Sequence, residues 1–319
     1  MKLKLVSINS RPAAILLALF VVFLWATSWV LIKIGLEDIP ALTFAGLRYM
    51  LAFLFLLPVF LLRGGAAGLR RLSRMGVAKL LALGLLLYGV TQGAQFLALA
   101  YLPAVAVNLL WSFSPVWVAA LGTRYLDERP TAFQWAGILL ALAGAGIYFF
   151  PAVFPANFGA GFAAAMVGIM ANAGASVIGR DINRTRDQSP LLITVISMGI
   201  GSAALLSTGI AIEGLPTIGV RGWGIIIWLA VVNTAFAFTL WNFTLRSLSA
   251  TESSVINGMM LVFIPVLAVL FLGESIDGKE LAGLIAAGLG TLLVQLRRPA
   301  PARPGFGPEA AELRAGKET

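Results

Sequence analysis

The chain has 319 residues, is 59% hydrophobic and only 12% charged, and carries a net charge of +9; a water-soluble fold, with about 25% charged residues, needs more polar surface than this. It holds no cysteine and no histidine, which excludes disulfides, thiolate nucleophiles, imidazole bases, a histidine proton relay and cysteine–histidine zinc sites. The composition is that of an all-α polytopic membrane protein.

In chain order, the N-terminus MKLKLVSINSRPAAILLALFVVFLWATSWVLI opens basic and then turns apolar. The apolar run 13–32 is longer than the core of a signal peptide, about 7–15 residues, and no A-x-A site follows. It therefore predicts a retained first helix. Windows long enough to span a bilayer, about 20 residues, lie at 13–34, 40–62, 77–100, 103–123, 132–150, 157–178, 190–212, 222–246, 250–272 and 279–296. Proline and glycine mark the joints, as at Pro40, Gly64-Gly65, Pro103, Pro130, Pro151 and Pro190. The connections are short, so neighbouring helices are expected to be antiparallel.

Lys and Arg orient the chain. With the N-terminus inside, 19 of the 23 basic residues fall on cytoplasmic segments, and only Lys33, Arg48, Arg221 and Lys279 do not. This predicts ten helices with both termini cytoplasmic. It also accounts for the net charge without nucleic acid as a partner. The segment RRPAPARPGFGPEAAELRAGKET, residues 297–319, is expected to be a disordered cytoplasmic tail.

The chain repeats itself. LPAVAVNLLWSFSPVWVAALGTRYLDERPTAFQWAGILLALAG from Leu102 aligns without a gap on LSATESSVINGMMLVFIPVLAVLFLGESIDGKELAGLIAAGLG from Leu248, at an offset of 146. Glu128 then falls on Glu274, Gly137 on Gly283 and Gly144 on Gly290. A repeat of five helices, an odd number, enters the membrane in opposite orientations, which predicts an inverted repeat with a site near mid-membrane. Residues 1–150 and 151–296 are the expected halves.

Several stretches carry a family resemblance: LWATSWVLIKIGL, FAGLRYMLAFLFLLP, LDERPTAFQWAGILLALAGAGIY, LWNFTLRSLSATESSVINGMMLVFIPVLAVLFLGE and LAGLIAAGLG. As an ordered set over roughly residues 15–296, they resemble the EamA-type exporters of the drug/metabolite transporter superfamily. Within it, the overall character is most like the YddG-type aromatic amino-acid exporters. The resemblance implies two inverted five-helix repeats, alternating access, export of small metabolites across the inner or plasma membrane, and no cofactor. The expected partners are a small-molecule substrate and the lipid bilayer, with the monomer as the working unit. One departure stands out: offset 146 places Ala171 and Thr194 where the first half has Trp25 and Arg48.

Polar groups in lipid are costly and normally face the bundle interior. The candidate substrate residues are accordingly Arg48, Trp25, Tyr88, Gln92, Gln95, Asn108, Trp111, Asn172, Asn233, Trp241 and Asn257. Tyr88, Gln92 and Gln95 share one helical face. For each amide, interhelical hydrogen bonding competes with substrate contact; for each tryptophan, plain packing competes with stacking on a flat ring or an organic cation. Pro115 and Pro265 are either tolerated kinks or gating hinges. Arg48 either locks neighbouring helices together or draws a substrate carboxylate into the cavity. No phosphate-binding GxxxxGK[ST] occurs, so the chain alone does not use ATP. The acids, Glu252 among them, all fall near helix ends, which predicts facilitated export without a buried proton carrier. A membrane-bound enzyme or a scaffold is the reading from another class. Against the first stand the missing nucleophile and acid–base pair; against the second stands the repeat.

Overall fold

Within the hydrocarbon core every backbone N–H and C=O has to be satisfied by the protein itself, and a helix does this locally. The computed structural model describes residues 11–69, 72–114, 116–117, 131–150, 157–184, 188–244, 248 and 250–296, and no strand occurs among them. The helices are α1 (Arg11–Gly35), α2 (Ala41–Leu62), the short α3 (Gly65–Leu69), α4 (Arg74–Tyr101) and α5 (Ala104–Trp111). They continue as α6 (Ala132–Phe149), α7 (Phe158–Arg184) and α8 (Pro190–Glu213). After these, α9 runs through Val220–Ala230, Val231–Phe236 and Ala237–Thr244, followed by α10 (Ala250–Gly258), α11 (Met260–Leu272) and α12 (Gly278–Leu296).

Seven helices among the described residues are long and apolar enough to cross a membrane. The windows at 103–123, 222–246 and 279–296 are not among the seven; they hold α5, the segmented α9 and α12. The expected tail, 297–319, and the helix position Pro115 lie outside the described residues.

Local chemistry sets the ends. Ser73 and Ser189 accept the N–H groups of Gly76 and Leu192, and Thr131 with Gln134 forms a reciprocal capping box. Gly214 and Gly273 close α8 and α11 at φ of 79° and 66°, a region open to glycine at little cost. Pro265 lies inside the continuous helix α11, and the break falls upstream, at Met259 between α10 and α11.

Two segments are π turns, Leu85–Thr91 in α4 and Val231–Phe236 in α9. Their starting residues, Leu85 and Val231, are separated by the same 146 positions as the sequence repeat.

The closest helix contacts are built on glycine. A Cβ at Gly144 would lie 2.6 Å from the Gly283 carbonyl oxygen, and one at Gly283 would lie 2.7 Å from that of Gly144. Gly137 faces Gly290 in the same reciprocal way, so α6 and α12 run antiparallel with their backbones touching. The glycines of one contact are offset by 146 from those of the other. The second antiparallel pair, α2 with α8, meets where Gly46 abuts Leu206 and Gly209 abuts Thr43. Between these pairs lies the main apolar core, in which Phe44 and Phe96 meet edge to face at 5.1 Å.

One end of the bundle is fastened by charged groups on helix termini. Glu213 accepts two first-turn N–H groups of α2, from Leu42 and Thr43, at 3.0 and 2.8 Å. Glu274 does the same for α5 through Ala104 and Val105. Lys33 donates to the Leu99 and Leu102 carbonyls at the end of α4, at 2.6 and 2.7 Å. Lys279 donates to the Phe150 carbonyl. Carboxylates at helix N-termini and ammonium groups at C-termini both complement the helix dipole.

Candidate functional site

The centre of the bundle is organised by two adjacent residues of α2, Arg48 and Tyr49. Both are 5% exposed. Arg48 donates from Nε and Nη2 to the hydroxyl of Thr234, each at 3.3 Å, and Thr234 stands in the π turn of α9. Its guanidinium carbon lies 5.0 Å from the centre of the Tyr49 ring, within range of a cation–π attraction. The Tyr49 hydroxyl donates to Gln92 Oε1 at 2.7 Å, and Gln92 is the first residue after the π turn of α4. The Tyr88 ring, inside that turn, lies 5.7 Å from the Tyr49 ring. One dipeptide thus touches both π turns, one in each half of the chain.

No carboxylate pairs with Arg48 among the described residues. Its partners are a hydroxyl and an aromatic face, both neutral. A guanidinium has five donors, and two are used here on a single oxygen. This combination, a buried permanent cation with spare donors and no counter-charge, is suited to receiving an anion with two oxygens.

Both π turns carry a hydroxyl clamp. Thr91 donates to Leu86 O at 2.7 Å and Thr234 donates to Leu229 O at 2.8 Å, each reaching five residues back. In α geometry those carbonyls would belong to the N–H four residues on.

A second group lies where α1 meets α9. The Trp25 ring packs at 5.2 Å against Phe238 and at 5.1 Å against Trp241, with Met259 and Phe263 alongside. Asn233 donates to Leu24 O and, at 3.1 Å, to Thr27 Oγ1. Trp25 Nε1 and Asn233 Oδ1 are buried without a hydrogen-bond partner among the described residues.

The remaining candidates divide. Asn108 donates to Met260 O at 3.2 Å, across to the start of α11, and Asn172 donates to Ser114 Oγ at 2.8 Å. With that of Asn233, these amide nitrogens bond between helices. Trp111 meets Trp29 edge to face at 6.2 Å and covers Gly168. Gln95 is half-buried and Asn257 exposed, and neither has a hydrogen-bonded partner among the described residues. Pro265 is buried within α11, and Pro115 and the Glu252 side chain lie outside the described parts. The reading from sequence missed Tyr49 and Thr234. Each directly follows a candidate residue, which is the signal that would have found them.

The model of the EamA-like transporter family matches residues 12–150 and again 159–296. The chain is 28% identical to a probable amino-acid metabolite efflux pump of Salmonella typhimurium, covering 86% of this chain and 92% of that protein. It is 26% identical to the uncharacterized inner membrane transporter YedA of Escherichia coli K12, covering 86% and 87%. A solved crystal structure with 19% identity superposes with a TM-score of 0.64 over 90% of this chain and 99% of the other, a likeness of fold.

Proposed function

The chain belongs to the EamA-like transporter family, and from that premise we propose that it is a secondary exporter of small carboxylate-bearing metabolites, amino acids foremost. It is a multi-pass protein of the inner or plasma membrane. The observation that carries the reading is Arg48, buried mid-helix with neutral partners and no carboxylate against it among the described residues. A substrate carboxylate would supply the missing charge in a dehydrated site. Tyr49, Tyr88 and Gln92 supply aromatic and amide surface beside it. That surface suits an aromatic amino acid, the YddG-type specificity, and the Salmonella relative's description as a probable amino-acid metabolite efflux pump supports the coarser class, amino acids.

The architecture we propose is ten helices in two inverted five-helix repeats, 1–150 and 151–296, with both termini cytoplasmic, working as a monomer by alternating access. The 146-residue spacing of the glycine contacts and of the π turns supports it. Every acid whose side chain is described stands at or beyond a helix end, which favours facilitated export over a buried proton carrier.

A thermal-shift screen of purified protein against amino acids, nucleosides, sugar phosphates and quaternary amines tests the reading. Amino acids should stabilise the protein, and their decarboxylated amines should not. The Trp25–Phe238–Trp241 cluster favours a second reading, a flat organic cation held on aromatic faces. Stabilisation by quaternary amines alone would decide for it. Turnover of lipid in proteoliposomes without flux of any solute would replace both with an enzyme.

A further inference from the structure

Residues 273–277 join α11 to α12, yet the two helices do not close on each other. α12 lies backbone to backbone on α6, and α11 packs on α1 and α5. The space left between them is a groove of about 630 Å³. Val262, Val266 and Val269 form one wall and Leu281, Ile285 and Leu289 the other, each 42–55% exposed. Gly288 lines it as well. A Cβ there would meet, among the described residues, Leu261 Cδ1 at 4.0 Å and nothing nearer, whereas those at Gly283 and Gly290 on the same helix would come within 2.7 Å of α6. One hydroxyl enters the lining, that of Thr291, and it donates to Ala287 O at 2.9 Å. The remaining lining is apolar, and no charged side chain of the described residues enters it. An amino acid would be stripped of water there with nothing to pair its two charges.

We propose that this groove is a lipid site, filled by one acyl chain of a membrane phospholipid. Its lining on α12 begins three residues inside the helix and ends four before its last residue. The opposite wall belongs to the apolar span Val255–Leu272. The groove therefore opens at the depth where the surrounding solvent is hydrocarbon. Protein interiors leave few voids larger than a water molecule, because the lining of an empty space forfeits its dispersion contacts. The shape selects a chain over a helix. From Leu281 to Leu292 the groove is about 16 Å long, at about 1.5 Å per residue. Its volume over that length gives a mean width of about 7 Å, and a helix with its side chains is about 10–12 Å across. A helix of a second copy or of another protein does not sink into it; a flexible hydrocarbon chain does. The lipid would also touch Met259, where the chain breaks between α10 and α11. The next carbonyl, that of Met260, accepts Asn108 of α5. A chain seated here braces the hairpin beside a junction that α5 also holds.

Photolabelling tests the site. The full chain is reconstituted into phosphatidylcholine vesicles containing a phosphatidylcholine with a diazirine in one acyl chain, irradiated, and mapped by peptide mass spectrometry. Leu139, 64% exposed on α6 and outside the groove, reports passing contact with lipid. Labelling of the groove walls should be more than twice that of Leu139. Gly288→Leu puts its own side chain into the groove and should bring the labelling down to the Leu139 level. Gly146→Leu, on a face of α6 where a Cβ meets nothing within 4 Å, should leave it unchanged. Val266→Phe fills the groove from the α11 wall and serves if the leucine variant at Gly288 does not fold. Wall labelling no higher than that of Leu139 in the wild type overturns the proposal, and so does wall labelling that persists in a folded, groove-filled variant. Unlabelled walls together with a dimer that Gly288→Leu turns into a monomer would assign the groove to a second copy of the chain instead.

Discussion

The carboxylate of Glu274 accepts the backbone N–H of Ala104 at 2.6 Å, and its second oxygen accepts that of Val105 at 3.1 Å. The turn after α11 therefore crowns the first turn of α5, 170 positions away in sequence. The interaction joins hydrogen bonding to a favourable charge at the positive end of a helix. Glu274→Ala should cost about 2 kcal/mol, the size of a charged hydrogen bond left unmade. Glu274→Gln, which keeps one acceptor and loses the charge, should cost about half of that. Unfolding midpoints of the three proteins in one detergent provide the comparison, and equal midpoints for alanine and wild type would sink the idea.

Glycine contacts make a sharper prediction, because two neighbours on α6 should behave oppositely. A methyl at Gly144 would sit 2.6 Å from the Gly283 carbonyl oxygen, whereas one at Gly146 meets nothing within 4 Å. Gly144→Ala should push α6 and α12 apart at a cost of about 1–3 kcal/mol. Gly146→Ala should be neutral or stabilising by up to about 1 kcal/mol, from helix propensity alone. Thermal unfolding of the two single variants decides it.

How much of this was visible beforehand depended on the range of the interaction. Length and apolarity place α1, α2 and α4 because lipid imposes them residue by residue. The start of α8 was legible because Ser189 and Pro190 act within one turn. The 146-residue offset was legible too, and its glycines Gly137, Gly144, Gly283 and Gly290 turned out to pair by contact. Arg48 stood out by charge alone. Its partner did not, since Thr234 is 186 positions away. The π turns were hidden because one extra residue in LLLYGVT or VVNTAF leaves no mark on the long apolar runs that flank it. Pro265 was read as a kink or a hinge and lies inside α11, whereas the turn at Met259, where Asn108 reaches the neighbouring carbonyl of Met260, carries no proline to announce it.

Lys79 and Asp181 form a pair of a different kind. They approach to 2.5 Å, but their side chains are 38% and 48% exposed. Water and salt screen such a pair, so its coupling should be below about 1 kcal/mol. A double-mutant cycle with Lys79→Ala and Asp181→Ala, read by thermal unfolding, measures that coupling directly. A larger value would show that this end of α4 and α7 is drier than the exposure implies.

Arg48 itself provides the test that separates a structural cation from a functional one. Its burial removes hydration from a permanent charge, and no carboxylate among the described residues returns that energy. A residue kept only to hold the fold should weaken it when replaced. A residue kept for its ligand should not. Arg48→Met keeps the length of the side chain and removes the charge, leaving the Thr234 hydroxyl its bond to Leu229 O. The variant should therefore unfold at the wild-type temperature or above it, while uptake of L-phenylalanine into proteoliposomes falls to background. Arg48→Lys keeps the charge and loses the fork that meets two carboxylate oxygens. It should transport with an apparent KM raised about tenfold, which corresponds to about 1.4 kcal/mol. Lost expression in both variants would instead assign Arg48 to packing. The decisive pattern is stability kept in the methionine variant, transport partly kept in the lysine variant, and neither effect reproduced by Glu274→Ala.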